Sequence, residues 1–167
     1  MKKIIYIIPG ILIIIAVILI MLNVYKKTSP ETSQPAPSKI TSLPSSEDLA
    51  KQGKVALPAG QESVVINDPY KESLKTISEN AELRNTSDYE IVYLGKLKSF
   101  VITLYGENLN DSRIKAEQAF LESLGITKDE ACKLNVNLAV AHEASESAAG
   151  KNYGLSFCSS GKPFPEK

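Results

Sequence analysis

The chain is poor in the side chains that metal, redox and nucleic-acid sites need. Its 167 residues include one histidine and two cysteines, a set too small for a zinc site. The cysteines are not spaced as Cys-x-x-Cys, which argues against a thiol redox centre. The 19 basic and 19 acidic side chains cancel, so there is no excess of positive charge to neutralise phosphates. We therefore predict no metal, no cofactor and no nucleic-acid partner.

The patterns of the common catalytic sites are also incomplete. His142 precedes Glu143, but adjacent residues on a strand point to opposite faces of the sheet. Two pairs match Ser-x-x-Lys, the motif in which a lysine activates a serine: Ser112 with Lys115 and Ser159 with Lys162. The SDN and KTG elements that accompany this motif in enzymes are missing. We therefore predict that the protein is not an enzyme and has no catalytic residues.

The N-terminal part contains a long run without charge. Residues 1–60 hold seven lysines against three acids, whereas residues 61–167 hold twelve basic residues against sixteen acids. Residues 4–25 form 22 consecutive uncharged positions rich in Ile and Leu, with two lysines on either side. As a helix this run would be about 33 Å long, enough to cross a hydrocarbon core of about 30 Å. The sequence predicts a transmembrane helix in a membrane anchor over residues 1–27, in contact with membrane lipid.

Two alternatives to an uncleaved anchor are a signal peptide and a prepilin-type leader. A signal peptide has an apolar core of about 7–15 residues and a small-residue cleavage site, and this sequence has neither. A prepilin leader would carry a Glu five positions after Gly10, where Ile15 stands. The flanking lysines are balanced, but the free amino terminus and the lack of an acid before the span favour a cytoplasmic N-terminus. We expect a single-pass membrane protein with its C-terminal domain outside the cytoplasm.

The segment after the anchor has the composition of a linker. Residues 28–60 contain five of the nine prolines and many Ser and Thr residues. Such a segment buries too little apolar surface to fold by itself. Within it, Ser45 and Asp48 resemble a capping box that starts a short helical turn. Residues 61–167 are then the predicted extracytoplasmic domain.

Apolar periodicity and capping residues predict the elements of this domain. Asp68 and Pro69 predict an amphipathic helix over residues 69–82, with Leu74 and Ile77 on its apolar stripe. Asn108 or Asn110 predicts a second helix that ends at Gly125, with Ile114 on its apolar stripe. Thr127 and Glu130 form a capping box for a short third helix through Cys132 and Lys133. Alternating residues predict strands over residues 89–94, 99–105, 135–141 and 153–158, of which the first two form an antiparallel hairpin. The order predicts an α+β domain, with a mostly antiparallel four-stranded sheet packed by two to three helices.

One side of the third predicted strand is polar. The alternation in residues 135–141 places Asn135 and Asn137 on a face opposite Val136, Leu138 and Val140. A polar face of this kind is either ordinary solvated surface or a recognition surface. The same two interpretations apply to the tail that carries Phe164.

Cys132 and Cys158 are predicted to form a disulfide. If the last two strands pair through residues 143–152, Cys158 lies opposite the neighbourhood of Val136 and Cys132 lies one turn upstream, within bonding reach. An exported domain also meets an oxidising compartment. The alternative is a pair of unbonded, buried thiols that act as small hydrophobic side chains.

Two segments resemble a family of uncharacterised single-span bacterial membrane proteins. They are EACKLNV at residues 130–136 and GKNYGLSFC at residues 150–158, and they cover about the last third of the folded domain. The resemblance implies no activity, ligand or catalytic residue. It supports the disulfide only because both cysteines lie inside the matching segments.

These features together predict a membrane-tethered, extracytoplasmic module that binds or assembles in the cell envelope. The expected partner is an envelope protein, and self-association remains open. One alternative is a subunit of an envelope appendage or secretion complex. Another is an enzyme that acts on an envelope polymer, for which Ser159 and His142 would be the candidate residues.

Overall fold

The computed structural model describes residues 44–165. The predicted anchor, residues 1–27, and the predicted linker up to residue 43 lie outside the described residues. In residues 44–165 there are three helices and seven strands. None of these helices has the length and apolar character that a membrane span requires.

The folded unit begins inside the segment predicted to be a linker. Helix α1 spans Ser46–Lys51, and strands β1 (Lys54–Ala59) and β2 (Glu62–Asn67) form an antiparallel hairpin. The Ser45 hydroxyl accepts a hydrogen bond from the Asp48 amide, as the predicted cap requires. Pro58 is compatible with β1 because a two-stranded sheet has free edges where no amide donor is needed.

Residues 69–82 do not form the predicted amphipathic helix. The chain makes a turn capped by Asp68, whose side chain accepts from the Tyr70 amide. It then enters a second hairpin of β3 (Lys75–Ile77) and β4 (Asn80–Asn85). The buried residues Ala81 and Leu83 alternate along β4, whereas Leu74 and Ile77 of the supposed helical stripe are 65% and 54% exposed. Burial of β4 against the core therefore overrides the local helical spacing.

The second sheet is mixed and has five strands, in the order β3-β4-β5-β6-β7. Strands β5 (Tyr89–Leu94) and β6 (Ser99–Leu104) form the predicted antiparallel hairpin. Strand β7 (Val136–Val140) lies parallel to β6, with helix α2 (Leu109–Leu124) in the connection between them. A crossover of this length returns the chain to the same end of the sheet, which makes the pairing parallel. The α+β class is confirmed, but the prediction of a four-stranded, mostly antiparallel sheet is wrong.

Residues 153–158 are not the predicted fourth strand. The Tyr153 amide donates to the Leu138 carbonyl at 2.8 Å, and the Asn152 side chain accepts from the Leu138 amide at 3.1 Å. Gly154 then adopts a left-handed conformation with φ 59°, and the chain leaves the sheet. This segment caps the free edge of β7 over a short distance and does not extend the sheet.

The predicted N-terminal caps of the two remaining helices are confirmed, but the third predicted helix ends at Ala131 and does not continue through Lys133. The Asn108 side chain accepts from the Asp111 amide at the start of α2, and Gly125 ends the helix with φ 63°. Helix α3 (Lys128–Ala131) starts at the capping box of Thr127 and Glu130. Hydrogen bonds from the Thr127 amide and hydroxyl hold the pKa of the Glu130 carboxyl below its usual value.

One continuous apolar core joins α2 to the five-stranded sheet. The Phe120 ring of α2 packs edge-on against Phe100 of β6, with centroids 5.1 Å apart, and Phe100 packs against Tyr93 at 5.0 Å. Tyr70 meets Tyr93 edge-on at 5.8 Å. The β1-β2 hairpin contributes to the same core through Leu57, Val64 and Ile66. Helix α2 therefore covers one face of the five-stranded sheet.

Candidate functional site

Cys132 and Cys158, the pair that the sequence predicts, lie at disulfide distance and are bonded, with Cα atoms 5.5 Å apart. Cys132 is the C-cap of α3, and Cys158 lies in a turn after the segment that caps β7. The strand pairing from which the bond was inferred is absent, so the cysteines meet by a different route. The disulfide ties α3 to a segment that has no strand partner of its own.

Arg113 holds the same C-terminal segment from the side of α2. Its side chain is only 5% exposed, and its terminal nitrogens donate to the carbonyls of Tyr153 at 3.2 Å, Gly154 at 2.8 Å and Lys162 at 2.8 Å. Its Nε donates to Glu117 Oε1 at 3.0 Å. Because a guanidinium carries five donors in one plane, a single side chain binds two stretches of backbone at once.

Glu117 completes this buried contact. Its carboxylate is also 5% exposed and accepts from the backbone amide and the hydroxyl of Ser156. The Arg113 guanidinium lies 5.2 Å from the ring centroid of Phe164, which packs against Tyr153 at 4.7 Å. We call Arg113, Glu117 and the disulfide the C-terminal brace. Phe164, for which the sequence predicts either solvated surface or a recognition surface, is thus half-buried against the brace.

Sequence reasoning did not identify Arg113 or Glu117 as a pair. The sequence suggested an apolar stripe that included Ile114, but Ile114 is 65% exposed. The buried side of α2 is rotated by about one position and contains Ser112, Arg113, Ala116, Glu117, Phe120, Ser123 and Leu124. Arg113 and Glu117 are opposite charges four residues apart, a spacing at which two helical side chains can pair. This spacing within an apolar stripe is the pattern from which a buried ion pair could have been predicted, since a charge is buried only with a partner.

The weak catalytic candidates are not assembled into a site. His142 and Glu143 are both exposed in the turn after β7. Ser112 is buried, whereas Lys115 points to Asp88 and pairs with it at 2.6 Å. Ser159 and Lys162 are exposed, and the Lys162 carbonyl accepts a hydrogen bond from Arg113. Among residues 44–165, no cluster of three His, Cys, Asp or Glu residues has the geometry to hold a metal ion.

Surface cavities lie around the C-terminal segment. A cavity of about 620 Å³ separates the start of α2, at Asn108, from Phe164. A smaller one of about 260 Å³ is lined by Ile114, Leu121 and Phe157, with Glu117 at its base. Two of the polar side chains that line these cavities already have structural partners, since Asn108 caps α2 and Glu117 binds Arg113 and Ser156.

The face of the five-stranded sheet opposite α2 carries side chains from β5, β6 and β7. The strand register places Val92, Val101 and Asn137 side by side across β5, β6 and β7. The next row contains Glu90, Thr103 and Ala139. Asn137 is exposed and the other five are half-buried. We call this surface the open face, and it includes Asn137, which the sequence marked as a possible recognition residue.

The open face has an apolar centre and a polar margin. Val92 and Val101 lie on the two strands β5 and β6 inside the sheet, and Leu94 continues the apolar row toward one end. At the other end, the Tyr105 hydroxyl donates to Glu90 Oε2 at 3.0 Å. Partial burial and the hydrogen bond to Glu90 raise the pKa of Tyr105. An apolar centre with a polar rim is the usual composition of a protein–protein contact surface.

No family model, no curated protein and no solved structure matches the chain. The resemblance of residues 130–136 and 150–158 to a single-span family therefore stays a prediction. In the structure these two segments contain both cysteines and the carbonyls of Tyr153 and Gly154 that Arg113 binds. The quoted motifs thus coincide with parts of the C-terminal brace.

Removal of the disulfide should destabilise the domain. The cysteines are 26 residues apart, and closing a loop of that size is worth about 3–4 kcal/mol in the chain-entropy model. We expect Cys132→Ser/Cys158→Ser to lower the free energy of unfolding by about that amount, measured by urea denaturation. The reduced wild-type protein is the control and should match the double variant. Equal denaturation midpoints for the oxidised protein and the variant would contradict the prediction.

Breaking the buried ion pair should cost more than breaking an exposed one. Arg113→Met leaves the buried Glu117 carboxylate without its counter-charge and three carbonyls without the Arg113 donor, and we expect a loss of about 3–5 kcal/mol in the free energy of unfolding. Lys51→Met is the matched control, because Lys51 and Glu47 form an (i, i+4) pair with side chains 69% and 82% exposed. Its loss should stay near 0.5 kcal/mol or below, roughly the value of exposed helical pairs.

A double variant separates the charge from the packing. Arg113→Met/Glu117→Leu removes both charges, so its destabilisation should be smaller than the sum of the two single changes. Additive losses would mean that the two side chains act independently, and would contradict the hydrogen bond from Arg113 to Glu117.

Proposed function

We propose that the protein is a single-pass, membrane-tethered module of the cell envelope that binds an envelope protein through the open face of its extracytoplasmic domain. The uncharged run at residues 4–25 supports the tether. The open face supports a binding role. The observation that carries the proposal is the apolar row of Val92, Leu94 and Val101 on the face of the sheet opposite α2.

The composition of this row departs from that of a solvated sheet. When one face of a sheet packs on a helix and the other meets water, the second face normally carries polar residues. On the open face, Val92 lies opposite Val101, and Ala139 lies beside Thr103. Exposed apolar area that is contiguous and bordered by polar groups is characteristic of interaction sites. A protein surface fits an extended apolar row of this kind, because contact surfaces between proteins combine an apolar centre with a polar rim.

The disulfide supports the extracytoplasmic side. Disulfides persist in oxidising compartments and are rare in the cytosol, where thiol reductants keep cysteines reduced. Cys132 is exposed to solvent, so burial alone would not protect this bond from reduction. A domain that keeps it is therefore expected on the outer side of the membrane, in agreement with a cytoplasmic N-terminus.

Cleavage in the segment before the domain should test the topology. A recognition sequence for a site-specific protease, inserted after Ser38, should allow added protease to release the domain from intact cells whose outer layers have been made permeable. Release is expected because the domain is proposed to lie outside the cytoplasm. A cytoplasmic marker protein with the same sequence should remain intact until the cells are lysed. Release only after lysis would place the domain inside and overturn the proposed location.

Site-specific photo-cross-linking should test the binding face. A photoreactive amino acid at Asn137 in β7 should give one discrete product with an envelope protein in intact cells. The same amino acid at Gln118, which is exposed on α2, is the matched control and should not give that product. Val101→Glu, which places a charge at the apolar centre, should abolish the product from position 137 in a protein that remains folded.

The mass of the cross-linked product distinguishes the alternatives. A product of twice the chain mass would identify self-association and make the protein a subunit of a larger assembly. Equal products from positions 137 and 118, or none from either, would contradict a binding role for the open face.

A further inference from the structure

The two cysteines of the disulfide lie in different surroundings. Cys132 is exposed, whereas Cys158 is half-buried and packs against the hydrophobic core. Access is one of the factors that decide which sulfur of a disulfide an external thiolate attacks. The bond therefore has one accessible end and one covered end.

Helix α3 places Cys132 on its solvent side. Lys128 and Asp129 are exposed, as Cys132 is, whereas Ala131 is buried in the core. Residues three and four apart share one side of a helix, so the first two residues and the cysteine form the exposed side of α3. The Cys132 amide donates to the Lys128 carbonyl at 3.0 Å, a contact that fixes the end of the helix and leaves the sulfur out.

The turn around Cys158 is fixed by its own backbone. The Cys158 amide donates to the Leu155 carbonyl at 3.1 Å, and the Cys158 carbonyl accepts from the Gly161 amide at 2.9 Å. A Cβ at Gly161 would collide with the Leu155 carbonyl and crowd that of Cys158. The turn is therefore closely packed, and its shape does not depend on the disulfide alone.

Arg113 holds the chain on both sides of Cys158. Its guanidinium donates to the carbonyl of Gly154, before the cysteine, and to that of Lys162, after it, each at 2.8 Å. Neither contact involves a sulfur. When the disulfide opens, these bonds keep Cys158 next to Cys132, whose Cα lies 5.5 Å away.

We propose that the Cys132–Cys158 disulfide opens and closes in the folded domain, and that Cys132 is the sulfur at which it exchanges with external thiols and disulfides. The exchange partner is defined by its chemistry, which is a thiolate able to reach an exposed sulfur. Opening of the bond releases α3 from the C-terminal segment, while Arg113 keeps that segment in place. The Cys132 sulfur is then the point at which the redox state of the compartment acts on the domain.

The exchange needs only the external thiols. An external thiolate attacks Sγ of Cys132, a bond forms between these two sulfurs, and the Cys132–Cys158 bond breaks. Cys158 leaves as a thiolate and takes a proton from water. A second external thiolate then releases Cys132 in the same way, so two electrons pass from two thiols to the bond and the external sulfurs end as a disulfide. The reverse sequence, which starts from an external disulfide, forms the bond.

Mapping of the first exchange product tests the assignment of Cys132. The purified, oxidised full-length protein in detergent micelles is treated with reduced glutathione, the released thiols are blocked with iodoacetamide, and the products are mapped by mass spectrometry. We expect glutathione on Cys132 and the iodoacetamide label on Cys158, in excess over the opposite pattern by about tenfold or more. The same treatment in denaturing urea is the control and should abolish the excess, because the fold no longer covers Cys158.

Reoxidation tests whether the bond closes in the folded domain. The reduced full-length protein, shown to be folded by circular dichroism, is given oxidised glutathione in native buffer or in denaturing urea. The mixed disulfide with glutathione should be less abundant in buffer by about tenfold or more, because held sulfurs react with each other rapidly. In urea the two cysteines, 26 residues apart, must meet by random closure of the loop.

The two experiments separate the two parts of the proposal. Equal labelling of the cysteines in the folded protein, glutathione mainly on Cys158, or a bond that reacts only in urea would overturn the assignment of Cys132. A reduced chain that is unfolded in native buffer, or a mixed disulfide equally abundant in buffer and urea, would overturn closure in the folded domain. Both experiments use the purified chain, so neither result depends on the proposed location or on the open face.

Discussion

The buried guanidinium of Arg113 is the contact on which the C-terminal part of the fold depends. Residues 152–164 form no strand, so most of their backbone polar groups cannot be satisfied by a sheet. Arg113 supplies donors to three carbonyls of this segment, while Glu117 accepts from Ser156. Because the two charges neutralise each other, the helix can bury both without leaving an unpaired ion. Among the described residues, every buried polar side-chain atom has a partner.

This arrangement determines which surfaces remain available. The C-terminal segment covers the free edge of β7, and α2 covers one face of the five-stranded sheet. Among the described residues, the face of the sheet opposite α2 carries the apolar row centred on Val92 and Val101.

Local chemistry was the part of the fold that the sequence predicted well. Asn108, Gly125 and the pair of Thr127 and Glu130 marked helix ends correctly, because capping satisfies backbone groups within a few residues. The β5-β6 hairpin was predicted for the same reason. The helix over residues 69–82 was wrong because the burial of Leu83 depends on contacts with distant strands, which local periodicity does not contain. The parallel direction of β7 was not predicted either, because it depends on the pairing of β7 with β6, which lies far away in the sequence.

The candidate sites show the same limit. The cysteine pair was predicted, although the strand register used to infer it does not occur. Arg113 was missed because its partners are carbonyls, which no sequence motif displays. Of the open face, only Asn137 was marked in advance, since its apolar centre emerges from the register of three strands that are far apart in sequence.

The position of the disulfide also bears on the order of folding. The covalent ring that it closes contains β7 and the segment that caps β7, but it does not contain β6. Pairing of β6 with β7 brings together Phe100 and Val136, which are far apart in the chain, and such non-local pairing is slow. The bond does not shorten that search, because the long connection lies outside the ring. Instead, in the oxidised chain β7 is already linked to the segment that covers its outer edge when it pairs with β6.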